Sequence, residues 1–482
     1  RTTGGLAVTG IGGQNLQILA LNPAEARNYL WFRSDFADHP LNQLMDALGP
    51  PGEFQGDVLP VDAATLSVWV YTAESRDQLT LWAGVRDSTG QFNYLEMGPL
   101  GGTGWRELQS PVLRDPGPVM VPPISLESLV MTQPANHFDT AKTPIYFDDI
   151  SAVSASGQRT GVEDFEGSSR WAILPTRAII QNQFEQSADQ HHGGQASAKL
   201  TLHGGASGEV QGIYFQDEHT PLPAVVSQSF LASAGLKVGG TTNLQIGGMV
   251  VPIVVRDSFK LFPTLGAADG PAIILNRDYL MSWLKLSFSQ SVPQFNEGWF
   301  TFPPGADRAV VGKTIRDQRY GLVNVFDRQQ ELATVAQNPL IAAGGSGILL
   351  VAFLAVLVLV AAALLVSLWM AVQRRRVEFA VLRALGVSRA QVFRLLAFEY
   401  VLVAVVGMVA GSYLGLIVGR RMLSFLDVTQ TGARVEPGFI LETQWGVVIF
   451  GAVAVLAVFG VALLLATRLL ARTSDAQALR LE

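Results

Sequence analysis

Residues 373–399 read Gln-Arg-Arg-Arg-Val-Glu-Phe-Ala-Val-Leu-Arg-Ala-Leu-Gly-Val-Ser-Arg-Ala-Gln-Val-Phe-Arg-Leu-Leu-Ala-Phe-Glu. The stretch lies between two long apolar runs, Gly347–Val372 and Leu395–Gly419, which it overlaps by a few residues at the second. Val377, Val381, Ala384 and Leu385 can share one helical face. Glu378 near the start and Arg383 near the end suit a helix dipole. Gly386 stands where a helix-ending C′ residue would stand. Ser388-Arg-Ala-Gln391 then has the form of a capping box that opens the next helix. The pattern predicts a short interfacial helix stopped at Gly386 and a second apolar helix starting at Ser388. An ordinary basic loop at a membrane edge would also be rich in arginine, so the basic residues alone do not separate the two readings.

Working outward, the last 140 or so residues hold three apolar stretches, at about 347–372, 395–419 and 445–467. Each meets the roughly 20-residue requirement for a membrane span. At about 1.5 Å per residue the first is near 39 Å long, so it must tilt or project beyond the hydrocarbon. From Ile341 onward there are 12 Arg, no Lys and 7 acidic residues. Taken from chain totals of 34 basic and 40 acidic residues, this leaves 22 basic and 33 acidic in 1–340. A net of −11 there gives no support for nucleic acid as a partner. Arg374, Arg375, Arg376, Arg383, Arg389 and Arg394 in the first loop, with Arg468, Arg472 and Arg480 in the tail, orient both to the cytoplasm. Arg420 and Arg421 lie near a helix end and can snorkel to the interface. Residues 1–340 are then expected outside. There is no cysteine, so that outer part must build its own core without disulfides. The chain starts at Arg1 and shows no export signal, so a missing upstream membrane segment is expected.

The outer part changes character along its length. Residues 1–54 read as a mixed α/β segment with a helix at Pro40–Leu48. Residues 55–158 read as short strands separated by turns: Leu66–Tyr71, Leu79–Val85, Phe92–Met97, Gly104–Leu108 and Ile145–Ile150. That spacing predicts a β-sandwich. Residues 159–340 read as α+β. They show a helix start at Val225–Leu231, a hairpin of Thr242–Ile246 with Val250–Val255, and a helix at Arg277–Leu284. A strand at Trp299–Phe302 and a helix at Asp307–Gln318 follow. The expected fold is a multidomain membrane protein, with a β-rich outer region followed by a transmembrane domain at 341–482.

Two resemblances sharpen this picture. Glu378-Phe-Ala-Val-Leu-Arg-Ala-Leu-Gly386, followed by Gln391, Glu399 and a glycine-rich helix, resembles the FtsX-like/MacB-like permease family of type VII ABC transporters. The family's Glu-Ile-x-x-Leu-Arg-Ala-Ile-Gly pattern is matched at Glu378, Leu382, Arg383, Ala384 and Gly386, with Phe379 and Leu385 as apolar variants. The resemblance covers about 341–482, and more weakly the family's periplasmic core domain at 222–340. It implies the plasma membrane of a prokaryote. It also implies that Arg376, Glu378, Leu382, Arg383, Ala384 and Gly386 form a coupling helix that docks on a separate ABC ATPase subunit, which carries ATP and Mg. The strand block resembles jelly-roll, galactose-binding-like modules. Val162–Gly167, Trp171 and Gly194–Leu200 resemble the opening of an incomplete second copy. This insertion departs from the best-known members of the permease family.

Other constellations have competing readings. Gly407, Gly411, Gly415 and Gly419 recur every fourth residue and make one face of the second span suited to close helix packing. A second permease copy or a missing N-terminal membrane half would supply the partner, with membrane lipid around it. Gly312-Lys313-Thr314 imitates the end of a P-loop, but position 307 is Asp where the motif needs Gly. The chain is therefore read as lacking its own ATPase. Asp148, Asp149 and Glu163 could supply oxygens to a structural Ca²⁺, as the jelly-roll resemblance implies, or be solvated carboxylates at strand ends. His191-His192 lacks a third ligand at useful spacing and reads as surface. Trp69, Trp82 and Trp105 could form a sugar-stacking platform, with burial in the sandwich core as the favoured expectation. No catalytic arrangement stands out.

Two functions are compatible with these readings. One is a permease subunit that carries motion from a partner ATPase to an outer domain, in mechanotransmission, export or lipid and lipoprotein handling. The other is a membrane-anchored carbohydrate-binding or adhesion protein. A mere anchor needs one span and no cytoplasmic docking surface, which favours the first.

Overall fold

The computed structural model describes residues 2–6, 16–112, 120–134, 143–175, 182–203, 210–246, 249–266, 270–286, 296–303, 305–317, 326–337, 347–374, 381, 385–423, 437–438, 443 and 445–477. The chain divides into two units, 1–302 and 303–482.

In the first unit, β1 (Thr2–Leu6) and β2 (Leu16–Leu21) close a barrel with four strands from more than 200 residues downstream. These are β15 (Leu222–Ser227), β16 (Thr241–Ile246), β17 (Met249–Phe259) and β18 (Ala272–Asn276), in the order β1-β16-β17-β15-β18-β2. β15 and β18 are buried along their whole length. Each has one parallel neighbour, β17 and β2 respectively, which explains their nearly continuous apolar composition. The expected hairpin is β16 with β17. The helix start expected at Val225 is displaced. The strand runs to Ser227, whose hydroxyl accepts from Phe230 N and opens α3 (Gln228–Ala234), and Gly235 ends α3 at φ 63°. α1 (Pro23–Tyr29) and α2 (Leu41–Ala47) flank the barrel sequence, and α4 (Arg277–Lys285) follows β18.

This topology corrects the expected boundaries. Residues 1–54 are not a separate segment; they supply two barrel strands. Their pairing with β16 and β18 is non-local and leaves no trace in local periodicity.

The β-sandwich is inserted between α2 and β15. One sheet has the order β12 (Gln183–Ser187), β13 (Ser197–Thr201), β9 (Ile145–Ser154), β4 (Ala63–Thr72), β7 (Gly104–Pro111), with β10 (Arg159–Glu163) also on β9. The other has β11 (Trp171–Ile173), β14 (Gln211–Phe215), β8 (Ser125–Thr132), β5 (Arg76–Arg86), β6 (Phe92–Leu100), with β3 (Asp57–Val58) also on β8. Leu66, Val68 and Val70 of the first sheet share a core with Leu81, Ala83, Val85 and Leu129 of the second. Residues 159–215 therefore complete these sheets and do not begin another module, a second correction. Their strands have five residues or fewer and cannot bury a face alone, so they add to existing edges.

The outer face of the second sheet is covered by the barrel domain. Val130, Tyr214, Trp82, Phe92 and Tyr94 pack with Tyr279, Leu280, Trp283 and Leu284 of α4. Trp283 meets Tyr214 edge to face at 5.0 Å, and its indole N–H donates to Val250 O at 2.9 Å. The Tyr94 hydroxyl donates to Lys285 O. A continuous apolar core thus joins insert and barrel. The strand expected at 299–302 does not form; Trp299 packs against Tyr29 with ring centroids 5.9 Å apart.

In the second unit, α5 (Arg308–Asp317) and α6 (Arg328–Gln337) precede α7 (Ile348–Arg374), α8 (Arg389–Leu423) and α9 (Trp445–Gln477). Among the described residues, three helices are long and apolar enough to cross a membrane, over Ile348–Ala371, Ala397–Gly419 and Trp445–Ala462. α9 contacts both α7 and α8, and Leu364 and Ala462 form a small buried cluster with Tyr400 and Phe459. Most other apolar side chains on these helices are exposed, as expected of surfaces that face lipid or partner helices.

Candidate functional site

The turn between α7 and α8 is the first candidate. Leu385 N donates to Val381 O at 3.0 Å, a helical bond. Gly386 follows at φ 89°, in the left-handed region where a side chain would be strained. Ser388 N donates to the Gln391 side-chain oxygen at 2.9 Å, and Gln391 N donates to Ser388 Oγ at 3.3 Å. This reciprocal pair is the expected capping box, and α8 starts on it. Val381 and Leu385 are 54% and 76% exposed, so the stop at Gly386 presents apolar groups at its surface. Arg376, Glu378, Leu382, Arg383 and Ala384 lie outside the described residues.

Gly407, Gly411, Gly415 and Gly419 all fall within α8. A Cβ built on any of them would meet nothing within 4 Å among the described residues. The close packing expected at this face is therefore not made among the described residues. Gly312-Lys313-Thr314 lies within α5, where the Thr314 hydroxyl donates to Val310 O at 2.9 Å. A phosphate-cradling loop instead needs free backbone N–H groups ahead of a helix.

The carboxylates considered for a calcium site are engaged within the chain. Asp148 is fully buried and accepts from the backbone N–H of Asp149, His192 and Gly193 at 2.8, 2.7 and 3.2 Å. Burial pushes its pKa up, against those N–H groups. Asp149, at φ 45°, holds His192 Nδ1 at 2.7 Å. Glu163 is turned to Phe165 N and the Ser169 hydroxyl, at 2.8 and 3.1 Å. Glu166 accepts from Gln195 N and Ala196 N. Backbone N–H groups, the Ser169 hydroxyl and the His192 imidazole contact these carboxylates. Among the described residues, no group of three or more His, Asp or Glu side chains is arranged to hold a metal ion.

The tryptophans divide, which corrects the core assignment. Trp82 is half-buried on the second sheet, packs against the barrel core and donates to Thr132 Oγ1 at 2.9 Å. Trp69 and Trp105 are half-buried on the outer face of the first sheet. The imidazole of His192 stacks on Trp69 with centroids 3.6 Å apart and meets Trp105 at 5.8 Å. Tyr71 touches Trp105 and Tyr146 at 5.6 and 5.7 Å. Sequence reasoning missed this grouping of Tyr71, Tyr146 and His192 with two tryptophans. Alternation in β4 put Trp69 and Tyr71 on one face, but the strand register across three sheet neighbours was needed to complete the set.

Residues 350–474 match the family model of the FtsX-like permease C-terminal domain. No curated protein matches the chain.

Proposed function

We propose, from a chain whose residues 350–474 belong to the FtsX-like permease family and make it a membrane subunit of an ABC-type transporter, that it transmits motion from a partner ATPase to its outer domain. The capped turn at Leu385–Gln391 is the observation that carries this reading. Gly386 and the Ser388–Gln391 box form a short, geometrically defined corner at the start of the second membrane helix. A force on such a corner reaches the helices with little loss in loop flexing. Arg376, Glu378, Leu382, Arg383, Ala384 and Gly386 are the docking residues of the proposal, with the Arg383 guanidinium suited to a carboxylate on the ATPase. ATP and Mg belong to that partner.

In this reading the α7–α8 turn and the C-terminus are cytoplasmic and residues 1–340 are outside. The barrel and the sandwich move as one body, because α4 sits in a core common to both. The open glycine face of α8 takes a helix from a second copy or from a preceding membrane segment. The insert belongs to the jelly-roll class and sets what the transporter acts on.

Purification of the full chain from native membranes, with identification of co-purifying proteins, tests the proposal. An ABC ATPase recovered in defined stoichiometry is the expected result. A chain recovered without any ATPase, under conditions that preserve other membrane complexes, overturns it.

A further inference from the structure

The tract that leads to the first span holds a helix whose two faces differ. α5 opens on Asp307: Val310 N donates to Asp307 Oδ1 at 3.2 Å and Val311 N to Asp307 O at 3.1 Å. At about 100° per residue, positions 310, 311, 314 and 315 fall on one arc, and these are Val, Val, Thr and Ile. Positions 308, 309, 312, 313, 316 and 317 fall on the other, and these are Arg, Ala, Gly, Lys, Arg and Asp. Three basic residues against one acidic residue make that second arc basic. The Thr314 hydroxyl donates to Val310 O, so the polar group on the apolar arc is satisfied within the helix.

The apolar arc lacks a full protein cover among the described residues, since Val310 is 59% exposed. Phe326 and Leu332, further along the same tract, are 83% and 57% exposed. A helix of 10 residues is too short to persist in water on propensity alone. Its apolar arc therefore needs a surface to enter. Apolar residues on one arc and cations on the other are the composition of a helix lying in a bilayer interface, with the cations level with lipid phosphates. α5 also belongs to the unit that holds the three spans, and the chain ties it to the first of them at Ile348. A tethered helix meets the bilayer at high effective concentration, so an arc too small to hold a free peptide there suffices.

We infer that α5 lies in the plane of an anionic phospholipid surface, with Val310 and Val311 towards the acyl boundary and Lys313 at the headgroups. This gives a role to Gly312-Lys313-Thr314, which imitates a P-loop without forming one. The inference is independent of the permease reading, because it uses only α5 and the presence of membrane spans in the same unit.

The test uses the full chain in lipid nanodiscs, of phosphatidylcholine alone or mixed with phosphatidylglycerol. The chain has no cysteine, so Val310→Cys, Thr314→Cys and Lys313→Cys each place a single bimane reporter. Doxyl-labelled lipid quenches a reporter in the bilayer, and iodide quenches one in water. In the mixed nanodiscs the reporters at 310 and 314 should be quenched by doxyl lipid and shielded from iodide, with the reverse at 313. In the background of the reporter at 310, Lys313→Gln should lower the ratio of lipid-bound to free helix about fivefold in mixed nanodiscs and leave it unchanged in phosphatidylcholine. Two reporters on the apolar arc guard against one misfolded variant, and thermal melts identify it. Quenching of positions 310 and 314 by iodide alone would overturn the inference. So would shielding of both from iodide and doxyl lipid, which would mean that protein covers the arc, or an Lys313→Gln effect equal in the two lipids.

Discussion

Replacing Trp283 with alanine should detach the sandwich from the barrel without unfolding the sandwich. Trp283 is 1% exposed and lies edge to face against Tyr214 of the insert and Phe54 of the entering linker, at 5.0 and 6.3 Å. Truncation of a buried Trp costs about 3–5 kcal/mol. It also leaves the Val250 carbonyl without its indole donor, a loss that falls within the roughly 1–3 kcal/mol range for a buried unsatisfied group. The two do not add fully, so about 4 kcal/mol is the working figure. At 1.4 kcal/mol per decade that is on the order of 10³ in local opening. Hydrogen exchange by mass spectrometry on the full chain in detergent reads this out. Protection should fall in α4, β17 and β14 and stay unchanged in β4 and β9, whose core excludes Trp283. Trp283→Phe, which keeps a ring and loses the hydrogen bond, should sit between. Opening that changes less than tenfold in α4, or an equal loss of protection in β4, would refute the shared-core argument.

Asp87 gives a pH-dependent case. Burial favours its neutral form, but the Thr89 hydroxyl and the N–H groups of Val121, Gln91 and Thr89 outweigh that and hold its carboxyl below the usual range. Its stabilisation is therefore present above the unfolded carboxyl pKa of about 3.9 and lost as pH falls through the lower folded value. Asp87→Asn should cost about 1–3 kcal/mol at neutral pH, and acid melts should show the variant and wild type converging. For topology, single cysteines at Ser388 and Ser156, both exposed, should label from opposite sides of the membrane. Labelling of both from one side would contradict the proposed orientation.

The sequence was most legible where the determinants are local. The capping box at Ser388–Gln391 and the left-handed Gly386 follow from spacing within a few residues, and both are present. The apolar spans were equally legible, though α8 and α9 run beyond the expected stretches to Leu423 and Gln477 because helix continues into polar residues. The sandwich strands β4 to β7 follow from alternation and turns. β8, with Glu127 buried inside an apolar run, went unread, since the Glu127 carboxylate is neutralised by Arg86 of β5, a partner 41 residues away. Barrel closure, the domain boundaries and the aromatic cluster of the first sheet all depend on non-local register. Residues 2–21 carry no local mark of strands at 222–276, and Tyr71 and Tyr146 meet only because β4 pairs with β9.

Coupling through the α7–α8 turn is the central claim, and Gly386→Val tests it most directly. A left-handed conformation costs a residue with a Cβ roughly 1–2 kcal/mol, so the variant should relax to another backbone geometry and change the exit angle into α8. Arg383→Ala serves as the companion that alters the docking surface in place of the corner. The measurement is ATPase turnover by the partner, in vesicles that hold it with wild-type or variant chain, alongside recovery of the complex. The account predicts that Arg383→Ala weakens assembly and that Gly386→Val uncouples turnover from the permease, with the fold of residues 1–302 unchanged by hydrogen exchange. Wild-type assembly and wild-type stimulation in both variants would contradict it and leave the segment as a basic loop at the membrane edge.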